Sequence, residues 1–309
     1  MYATRSSDTL RVYDAYLYRD GLKNIPGRYF DADDKAWVFP YTDEAVRTLE
    51  LLGARLGDGI EPSSQSKAVA KKYETINTQP RVKATLYAHQ VRAYNFALEM
   101  LEEGRAAAIF ADMGTGKTLI TISTVGTLYE QESIHKMLVV CPKSIVGVWE
   151  EEFRKFAGFR YALTVLDGTL EKKKCAFEFM NGTALQVIVV NYESCWRLEK
   201  EVSKWRPDII VCDESSKIKN PQTAQSKALH RLGRISKYNM ILTGTPTTGS
   251  PLDFFSQYKF LDESILGTSY YLFRNKYAIF GGYQRHQVIG YQNLAELVEK
   301  VHAIAFRIR

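Results

Sequence analysis

Short apolar runs alternate with amphipathic stretches along most of the chain. Runs of the length expected for buried strands lie at residues 107–111, 137–141, 163–166, 187–190, 209–212 and 240–242. Between them, the spacing of apolar positions predicts helices at residues 116–129, 145–156, 171–180, 195–203 and 222–232. Strands that are apolar on both faces and alternate with helices indicate a mostly parallel sheet flanked by helices, with right-handed crossovers. We therefore predict one α/β domain over residues 81–309.

The first part of the chain has a different pattern. Two short aromatic runs flank a polar turn and predict a β-hairpin over residues 29–39. Thr42 then precedes a periodic apolar set, which predicts a capped amphipathic helix ending at Gly53. These features indicate a small α+β domain at residues 1–57. Residues 58–80 contain prolines and serines but few apolar side chains, and we interpret them as a linker.

Composition excludes several classes of protein. The chain has 309 residues, 45% apolar and 25% charged, which is typical of a soluble globular protein with two domains. Its four cysteines lack C-x-x-C spacing and a partner histidine cluster, so we predict neither a disulfide framework nor a zinc site. No apolar run approaches the roughly 20 residues of a membrane helix, and the N-terminal stretch lacks the apolar segment of a secretory signal. We expect a cytoplasmic protein, or a nuclear one in a eukaryote, without a membrane partner.

The net charge of +6 is unevenly distributed. Residues 1–60 carry 8 Lys and Arg against 10 Asp and Glu, which leaves 33 against 25 for residues 61–309. The larger part is therefore the basic one. Such an excess permits binding to a polyanion such as nucleic acid, but it is also common as a solubilising surface.

Residues 111–118 read Ala-Asp-Met-Gly-Thr-Gly-Lys-Thr, directly after the first predicted strand of the larger domain and before a helix. This is the spacing of a phosphate-binding loop, with Ala111 in place of the first glycine, and an ordinary glycine-rich turn is the alternative. Glycines let backbone N–H groups turn toward phosphates, the Lys117 ammonium reaches the terminal phosphates, and the Thr118 hydroxyl binds Mg²⁺. We predict ATP and Mg²⁺ as cofactors, bound through Met113, Gly114, Thr115, Gly116, Lys117 and Thr118.

A phosphate-binding loop also needs a carboxylate at the end of a neighbouring strand. Asp213 and Glu214 follow the apolar run at residues 209–212, where the carboxyl edge of a parallel sheet is expected. We predict that Asp213 holds Mg²⁺ and that Glu214 orients or deprotonates the attacking water. Lys117, Asp213 and Glu214 are therefore the predicted catalytic residues. Taken without the upstream loop, the two acids would indicate no more than a solvated loop.

Together these segments resemble the helicase-like ATPases of the Swi/Snf type, within superfamily 2, over nearly all of residues 85–309. The resemblance implies the first RecA-like lobe of such an ATPase, with a mostly parallel sheet. It also implies that Gln90 reads adenine, although Gln90 is equally a polar residue at a helix entry. Ser215 and Ser216 depart from the family pattern, which has Ala-His or Gly-His there, and this leaves open how the nucleotide is coupled to the next motif.

The same resemblance implies contacts with the nucleic-acid backbone after three predicted strands. Ser144 has a physical reason as well, because a helix N-terminus at a strand end is a natural phosphate site. Helix capping by Ser144, a turn led by Asn191 and a polar strand end after Leu242 are the alternatives. The implied contact residues are Pro142, Lys143, Ser144, Asn191, Tyr192, Thr243, Gly244 and Thr245.

The small N-terminal domain resembles the HARP module of annealing helicases. The likeness rests on residues 25–30 and on Trp37-Val38-Phe39. It implies binding to double-stranded, branched or single-to-double-strand junction DNA, with Arg28, Tyr29, Lys35 and Trp37 as contacts. The net negative charge of this segment opposes that interpretation, and a tiny domain must also bury aromatic side chains in order to fold.

These patterns support a first hypothesis, in which the chain is the N-terminal part of a DNA-dependent ATPase that remodels, anneals or unwinds DNA. Family members hold ATP between two RecA-like lobes, and the second lobe, which supplies an arginine, is not visible in this sequence. We therefore expect slow ATP hydrolysis by this chain unless a second lobe is supplied in cis or in trans. A non-catalytic, nucleotide-gated DNA-binding adaptor is the second hypothesis, and a ring-forming P-loop ATPase is the third.

Overall fold

The computed structural model describes residues 1–23, 25–51, 54–177, 182–247, 250–281 and 287–308. These residues form two compact units. The small unit comprises Met1–Lys72 and Ser269–Ala303. The large unit comprises Tyr73–Thr268 and the described residues from Ile304 onward.

Strands and helices alternate throughout the large unit, as the apolar pattern predicted. The strands are β1 (Tyr2–Ser6), β2 (Thr9–Tyr13), β3 (Tyr29–Asp31), β4 (Ala36–Pro40), β5 (Arg55–Leu56), β6 (Ala107–Ala111), β7 (Lys136–Cys141), β8 (Tyr161–Val165), β9 (Leu185–Asn191), β10 (Ile209–Asp213), β11 (Tyr238–Thr243), β12 (Ala278–Gly281), β13 (Gln287–Tyr291) and β14 (Ala305–Ile308). The α-helices are α1 (Arg19–Leu22), α2 (Asp43–Leu51), α3 (Ser64–Lys72), α4 (Ala88–Glu102), α5 (Lys117–Glu130), α6 (Val146–Phe156), α7 (Leu170–Ala176), α8 (Tyr192–Arg197), α9 (Glu199–Trp205), α10 (Ala224–Gly233), α11 (Phe254–Leu261), α12 (Glu263–Leu266), α13 (Tyr270–Tyr277) and α14 (Leu294–His302).

The small unit is an α+β fold around a five-stranded mixed sheet, in the order β3-β4-β2-β1-β5. The predicted hairpin is present, because β3 pairs antiparallel with β4. The predicted helix cap is present as well, since the Ala45 N–H donates to Thr42 Oγ1 at 3.2 Å. The predicted helix end at Gly53 lies outside the described residues.

The division of the chain differs from the expected one at residues 58–80. Instead of a linker, this segment contains α3, which belongs to the small unit. Asp43 on α2 accepts hydrogen bonds from the Ser64 N–H at 2.6 Å and the Ser64 hydroxyl at 2.8 Å, and the buried Ser63 hydroxyl donates to Glu50 at 2.6 Å. The serines that suggested a linker thus anchor a helix, because serine favours helix starts as well as loops.

Residues 269–303 also differ from the expectation of one domain over residues 81–309, because they return to the small unit. The α14 helix buries Leu294, Leu297, Val298 and Val301, an apolar stripe with helical spacing. It contacts α2, and β13 contacts the short 3₁₀ helix at Tyr16–Tyr18. Sequence periodicity identifies such a stripe but not the unit against which it packs.

The large unit is a RecA-like α/β lobe. Its seven-stranded sheet has the order β14-β6-β11-β10-β7-β9-β8, and every neighbouring pair is parallel. The central strands β6, β10 and β11 consist of buried residues alone, which is expected of a sheet covered on both faces. The predicted fold class is confirmed; β14, which was not predicted, adds a strand beside β6.

The carboxyl ends of these parallel strands lie at one edge of the sheet, where sites are built in such folds. Two positions in the register order the loops along that edge. Asp213 pairs with Leu242, and Cys141 pairs with Asn191. The loops after β6, β11 and β10 are therefore neighbours, followed by the loops after β7 and β9.

Candidate active site and nucleic-acid interface

The phosphate loop, residues 112–116, connects β6 to α5. Gly114 and Gly116 have φ angles of +82° and +85°, which glycine adopts without strain. A Cβ atom at Gly116 would lie 2.3 Å from Gln90 Nε2, whereas one at Gly114 would meet nothing within 4 Å. No side chain caps the first turn of α5. The loop thus leaves open space and unpaired N–H groups at a helix N-terminus, and this fits a phosphate group.

Lys117 lies at the base of this loop and faces the acid pair. Its Nζ donates to the Ala111 carbonyl at 3.0 Å and lies 3.8 Å from Glu214 Oε1. The Lys117 side chain is 12% exposed and that of Glu214 is 29% exposed. The structure therefore brings these two residues together at one edge of the sheet, as their predicted roles require.

Asp213 ends β10 and is buried, with both carboxylate oxygens in hydrogen bonds. Oδ2 accepts from the Trp149 indole N–H at 3.1 Å, and Oδ1 accepts from the Glu214 N–H at 2.9 Å. Burial raises the pKa of Asp213 to about 6, against the lowering effect of the Trp149 hydrogen bond. A buried carboxylate is the group that gains most from a nearby cation.

Trp149 is a functional residue whose role the sequence left open between core packing and nucleic-acid contact. It is 1% exposed on α6, so it lies in the core, yet its N–H holds Asp213. No local sequence signal connects the two residues, because they meet only through the packing of α6 on the sheet.

Glu214 has an unusual backbone conformation. Its φ and ψ angles are 50° and 55°, in the left-handed region that costs a non-glycine residue about 1 kcal/mol or more. Such strain clusters at functional sites, where the surrounding structure maintains it. Here it turns the chain directly after Asp213, so that consecutive acids reach different positions.

The donors near the phosphate loop fit Mg²⁺ bound together with a nucleotide. Asp213 and the Thr118 hydroxyl, in the first turn of α5, are the protein groups that would hold it. Among the described residues, no group of three or more His, Cys, Asp or Glu could hold a metal ion alone. Mg²⁺ commonly takes one or two protein ligands and completes its shell with phosphate oxygens and water.

Gln90 is 5% exposed and has a structural role in the described chain. Its Oε1 accepts from the Tyr87 N–H at 3.0 Å, which caps α4, and its Nε2 donates to the Thr115 carbonyl at 3.1 Å. His89 Nε2 also contacts the Thr115 carbonyl at 3.1 Å. The helix-entry interpretation therefore describes these contacts, and Gln90 retains one N–H for a base. The sequence did not indicate the contact of His89 with the phosphate loop.

The loops after β7 and β9 expose part of the predicted nucleic-acid set. Lys143 and Ser144 are exposed and Pro142 is partly exposed, at the start of the 3₁₀ turn Lys143–Ile145. Asn191 is partly exposed, and its Oδ1 caps α8 by accepting from the Ser194 N–H at 2.7 Å.

Two predicted contacts with nucleic acid need correction. Tyr192 is 1% exposed, and its hydroxyl donates to the Asp213 carbonyl at 2.7 Å, so its side chain belongs to the core. Thr243 is 0% exposed, and its Oγ1 accepts from the Thr245 N–H at 3.1 Å. Both side chains brace the acid pair or its neighbouring loop. Thr245 is exposed and Gly244 is partly exposed, and these two remain accessible.

Lys173 is a buried cation beside the loop after β9. It is 9% exposed, and its Nζ donates to the Ser194 hydroxyl at 2.8 Å. No carboxylate pairs with it among the ion pairs of the described chain, whereas the adjacent Lys174 lies 3.9 Å from Glu201. The run of three lysines is thus not a uniformly solvated helix face.

In the small unit, the predicted contact residues lie on or beside the β3-β4 hairpin. Arg28 and Lys35 are exposed, Tyr29 is 55% exposed and Trp37 is partly exposed. Phe30, which was not predicted as a contact, is 52% exposed, and its ring lies 5.4 Å from that of Trp37. The hairpin therefore presents aromatic faces at a sheet edge.

Comparison with known proteins identifies the family. The model of the SNF2-related domain matches residues 89–304 of this chain. The chain belongs to the SNF2-related family. It is a helicase-like ATPase of the Swi/Snf type by this match and by its RecA-like fold. The match begins at His89, so the HARP-like part of the small unit lies outside it.

This SNF2-related chain is similar to proteins of DNA repair and to a solved ATPase core. It is 32% identical over 182 residues to the human DNA repair and recombination protein RAD54B, covering 57% of this chain and 20% of that protein. It is 32% identical over 232 residues to the RAD54-like protein of Drosophila erecta, covering 70% and 28%. The Sulfolobus solfataricus SWI2/SNF2 ATPase core in complex with dsDNA superimposes with a TM-score of 0.62 at 29% identity, covering 76% of this chain and 46% of that chain. The chain thus spans less than half of each of these proteins.

Membrane-spanning helices were also sought. Within the described part of the chain, no helix is both long and apolar enough to cross a bilayer.

Proposed function

We propose that this chain is the nucleotide-binding lobe of a DNA-dependent ATPase of the Swi/Snf type, which couples ATP hydrolysis to DNA remodelling, annealing or unwinding. The observation that carries the proposal is the convergence of Lys117 with Asp213 and Glu214 beside an open phosphate loop. These groups supply the cation, the metal ligand and the acid that phosphoryl transfer to water requires.

Each residue of the site has a distinct task. Lys117 binds the terminal phosphates, and its contact with Glu214 keeps the ammonium directed toward them. Glu214 orients the attacking water and accepts its proton, because its carboxylate stays partly exposed at the site. Asp213 and Thr118 would hold Mg²⁺, which offsets phosphate charge when it is bound. Gln90 offers its remaining N–H to the adenine base.

The DNA-binding part of the proposal rests on the loops beside this site. Lys143, Ser144 and Thr245 are exposed at the same edge of the sheet, and Asn191 follows the neighbouring strand. Cations, hydroxyls and helix N-termini are the groups that bind phosphates of nucleic acid. The solved SWI2/SNF2 ATPase core named above is a complex with dsDNA, which supports double-stranded DNA as the partner here.

The small unit is proposed as a second DNA contact, through Arg28, Tyr29, Lys35 and Trp37. Its support is the exposed aromatic edge, since aromatic faces stack on unpaired bases. Asp31 and Asp34 lie in the same hairpin and would repel phosphates, but Arg11 forms ion pairs with both. We therefore expect this unit to favour a single-to-double-strand junction over blunt duplex DNA.

Hydrolysis by this chain alone is proposed to be slow. Lys117 is the cation that the described residues bring to the phosphate loop, and an added arginine is worth orders of magnitude in phosphoryl transfer. A second RecA-like lobe, in cis or in trans, would supply it.

The test is steady-state ATP hydrolysis by the chain, with and without duplex DNA. Slow turnover that rises on adding a second lobe together with DNA is expected. Brisk DNA-stimulated turnover by the chain alone would refute the need for a second lobe. ATP and DNA binding without any turnover under either condition would favour the adaptor hypothesis.

A further inference from the structure

A buried glutamine joins two loops at the catalytic edge of the sheet. Gln257, on α11, is 0% exposed. Its Oε1 accepts a hydrogen bond from the Ser215 hydroxyl at 2.6 Å, and its Nε2 donates to the carbonyls of Pro246 at 2.7 Å and Asp253 at 2.9 Å. One side-chain amide therefore contacts both the residue after Glu214 and the loop that follows β11.

These hydrogen bonds form a stiff connection. Ser215 is also 0% exposed, and both N–H groups of the Gln257 amide are in use. Breaking one bond would leave a buried polar group without a partner and without water, which is strongly unfavourable. The turn at Ser215 and the chain at Pro246 are therefore expected to move together.

The connection leads from the nucleotide site to an accessible loop. On one side, Ser215 follows Glu214, whose strained backbone carries the carboxylate that faces Lys117. On the other side, Pro246 follows Thr245, which is exposed. A ligand that shifts Glu214 would thus shift Thr245 through the amide of Gln257.

We propose that Gln257 is a positioning residue, which couples occupancy of the nucleotide site to the conformation of residues 244–247 and so to their affinity for DNA. This inference rests on the proposed function, since it presumes that the chain binds both ligands. Coupling between two sites requires an element that both ligands influence. Here that element is the unit formed by Ser215, Gln257 and Pro246.

The neighbouring residue provides a matched control. Ser256 is likewise polar, 0% exposed and on α11, but its hydroxyl contacts His230 Nε2 at 3.0 Å. Ser256→Ala therefore removes a buried polar contact from the same helix without touching either loop. Any general loosening of α11 would appear in this variant too.

The experiment measures the affinity of the chain for a fluorescent duplex DNA, with and without Mg²⁺ and a non-hydrolysable ATP analogue. In the wild type we expect the analogue to change DNA affinity about five-fold or more. Ser215→Ala and Gln257→Met are each expected to bring this ratio close to one, while affinity for the analogue alone stays within about two-fold. Combining them should cause no further loss, because they interrupt one connection. Ser256→Ala should keep the wild-type ratio.

Several results would overturn the inference. They are a wild-type ratio that survives in both variants, a wild type that binds both ligands without coupling, and an equal loss of coupling in Ser256→Ala. A wild type that fails to bind DNA or nucleotide would instead refute the proposed function. In that case amide hydrogen exchange in the ligand-free chain still tests the connection. Exchange at Thr245 and Thr247 should be faster in Ser215→Ala than in Ser256→Ala, and equal rates would overturn it.

Discussion

Lys117 Nζ lies 3.8 Å from Glu214 Oε1, although the two residues follow strands β6 and β10 that are separated in the sheet by β11. The same ammonium donates to the Ala111 carbonyl at 3.0 Å. At 3.8 Å the contact with Glu214 is electrostatic and longer than a hydrogen bond. The Lys117 ammonium is thus directed to the phosphate loop while it retains donors for a ligand.

Replacing Glu214 should separate binding from chemistry. Glu214→Gln keeps the size of the side chain but removes the proton acceptor, so we expect ATP affinity to persist while kcat falls by about 100-fold or more. Single-turnover hydrolysis with the second lobe and DNA present measures the rate, and fluorescence titration with an ATP analogue measures binding. Unchanged hydrolysis would show that Glu214 does not activate the water.

Trp149 should matter through its N–H group. Trp149→Phe keeps an aromatic ring but removes the donor to Asp213 Oδ2, so we expect the Mg²⁺ concentration needed for nucleotide binding to rise about ten-fold. Trp205→Phe is the matched control, because Trp205 is also buried but its N–H has no hydrogen-bond partner among the described residues. Equal Mg²⁺ requirements in the two variants would reduce Trp149 to a packing residue.

Lys173 should contribute to DNA binding more than its neighbour does. The Lys173 ammonium lies beside Ser194 at the loop after β9 and has no acidic partner in the described chain, so a phosphate would complete its environment. Lys173→Ala should reduce the slope of log K against log salt by about one, whereas the exposed Lys172→Ala should leave it unchanged. Fluorescence anisotropy over a salt series measures the slope, and identical slopes in both variants would assign Lys173 to folding alone.

His230 predicts a loss of stability in mild acid. Burial lowers its pKa from 6.5 to about 4 in the folded chain, so between these values the unfolded chain binds a proton that the folded chain does not. Stability therefore falls as the pH falls through this window, and the contribution of His230 between about pH 7 and about pH 5 is about 2 kcal/mol. Urea unfolding at both pH values measures it.

The control for this pH effect keeps the hydrogen bond but removes the titration. His230→Gln retains an amide that can contact Ser256, and it should lose that part of the pH dependence. The exposed His135→Gln should behave like the wild type. If His230→Gln is as acid-sensitive as the wild type, other groups carry the effect.

The fold and the chemical groups of the site were predictable from the sequence to different degrees. The parallel sheet and the phosphate loop follow from local patterns, because buried strands are apolar throughout and the Gly-x-Gly-Lys-Thr spacing is itself the site. The return of residues 269–303 to the small unit was not predictable in this way. An amphipathic helix such as α14 shows that it has a partner but not which partner.

The roles of individual polar residues depended on tertiary packing. Tyr192 and Thr243 follow strand cores as the exposed contact residues do, and only burial distinguishes them. In the same way, Trp149 meets Asp213 and Gln257 meets Ser215 across long stretches of sequence. Such pairs are set by how helices pack on the sheet, which no local pattern encodes.

The most direct test of the nucleotide site is the affinity of the chain for ATP with Mg²⁺, measured by isothermal titration calorimetry on the wild type and two lysine variants. Lys117→Ala removes the cation at the phosphate loop, and Lys143→Ala removes an exposed cation from the neighbouring loop. We predict saturable binding by the wild type and Lys143→Ala, and no measurable binding by a folded Lys117→Ala. Wild-type affinity in Lys117→Ala would contradict the assignment of this edge of the sheet as the ATP site.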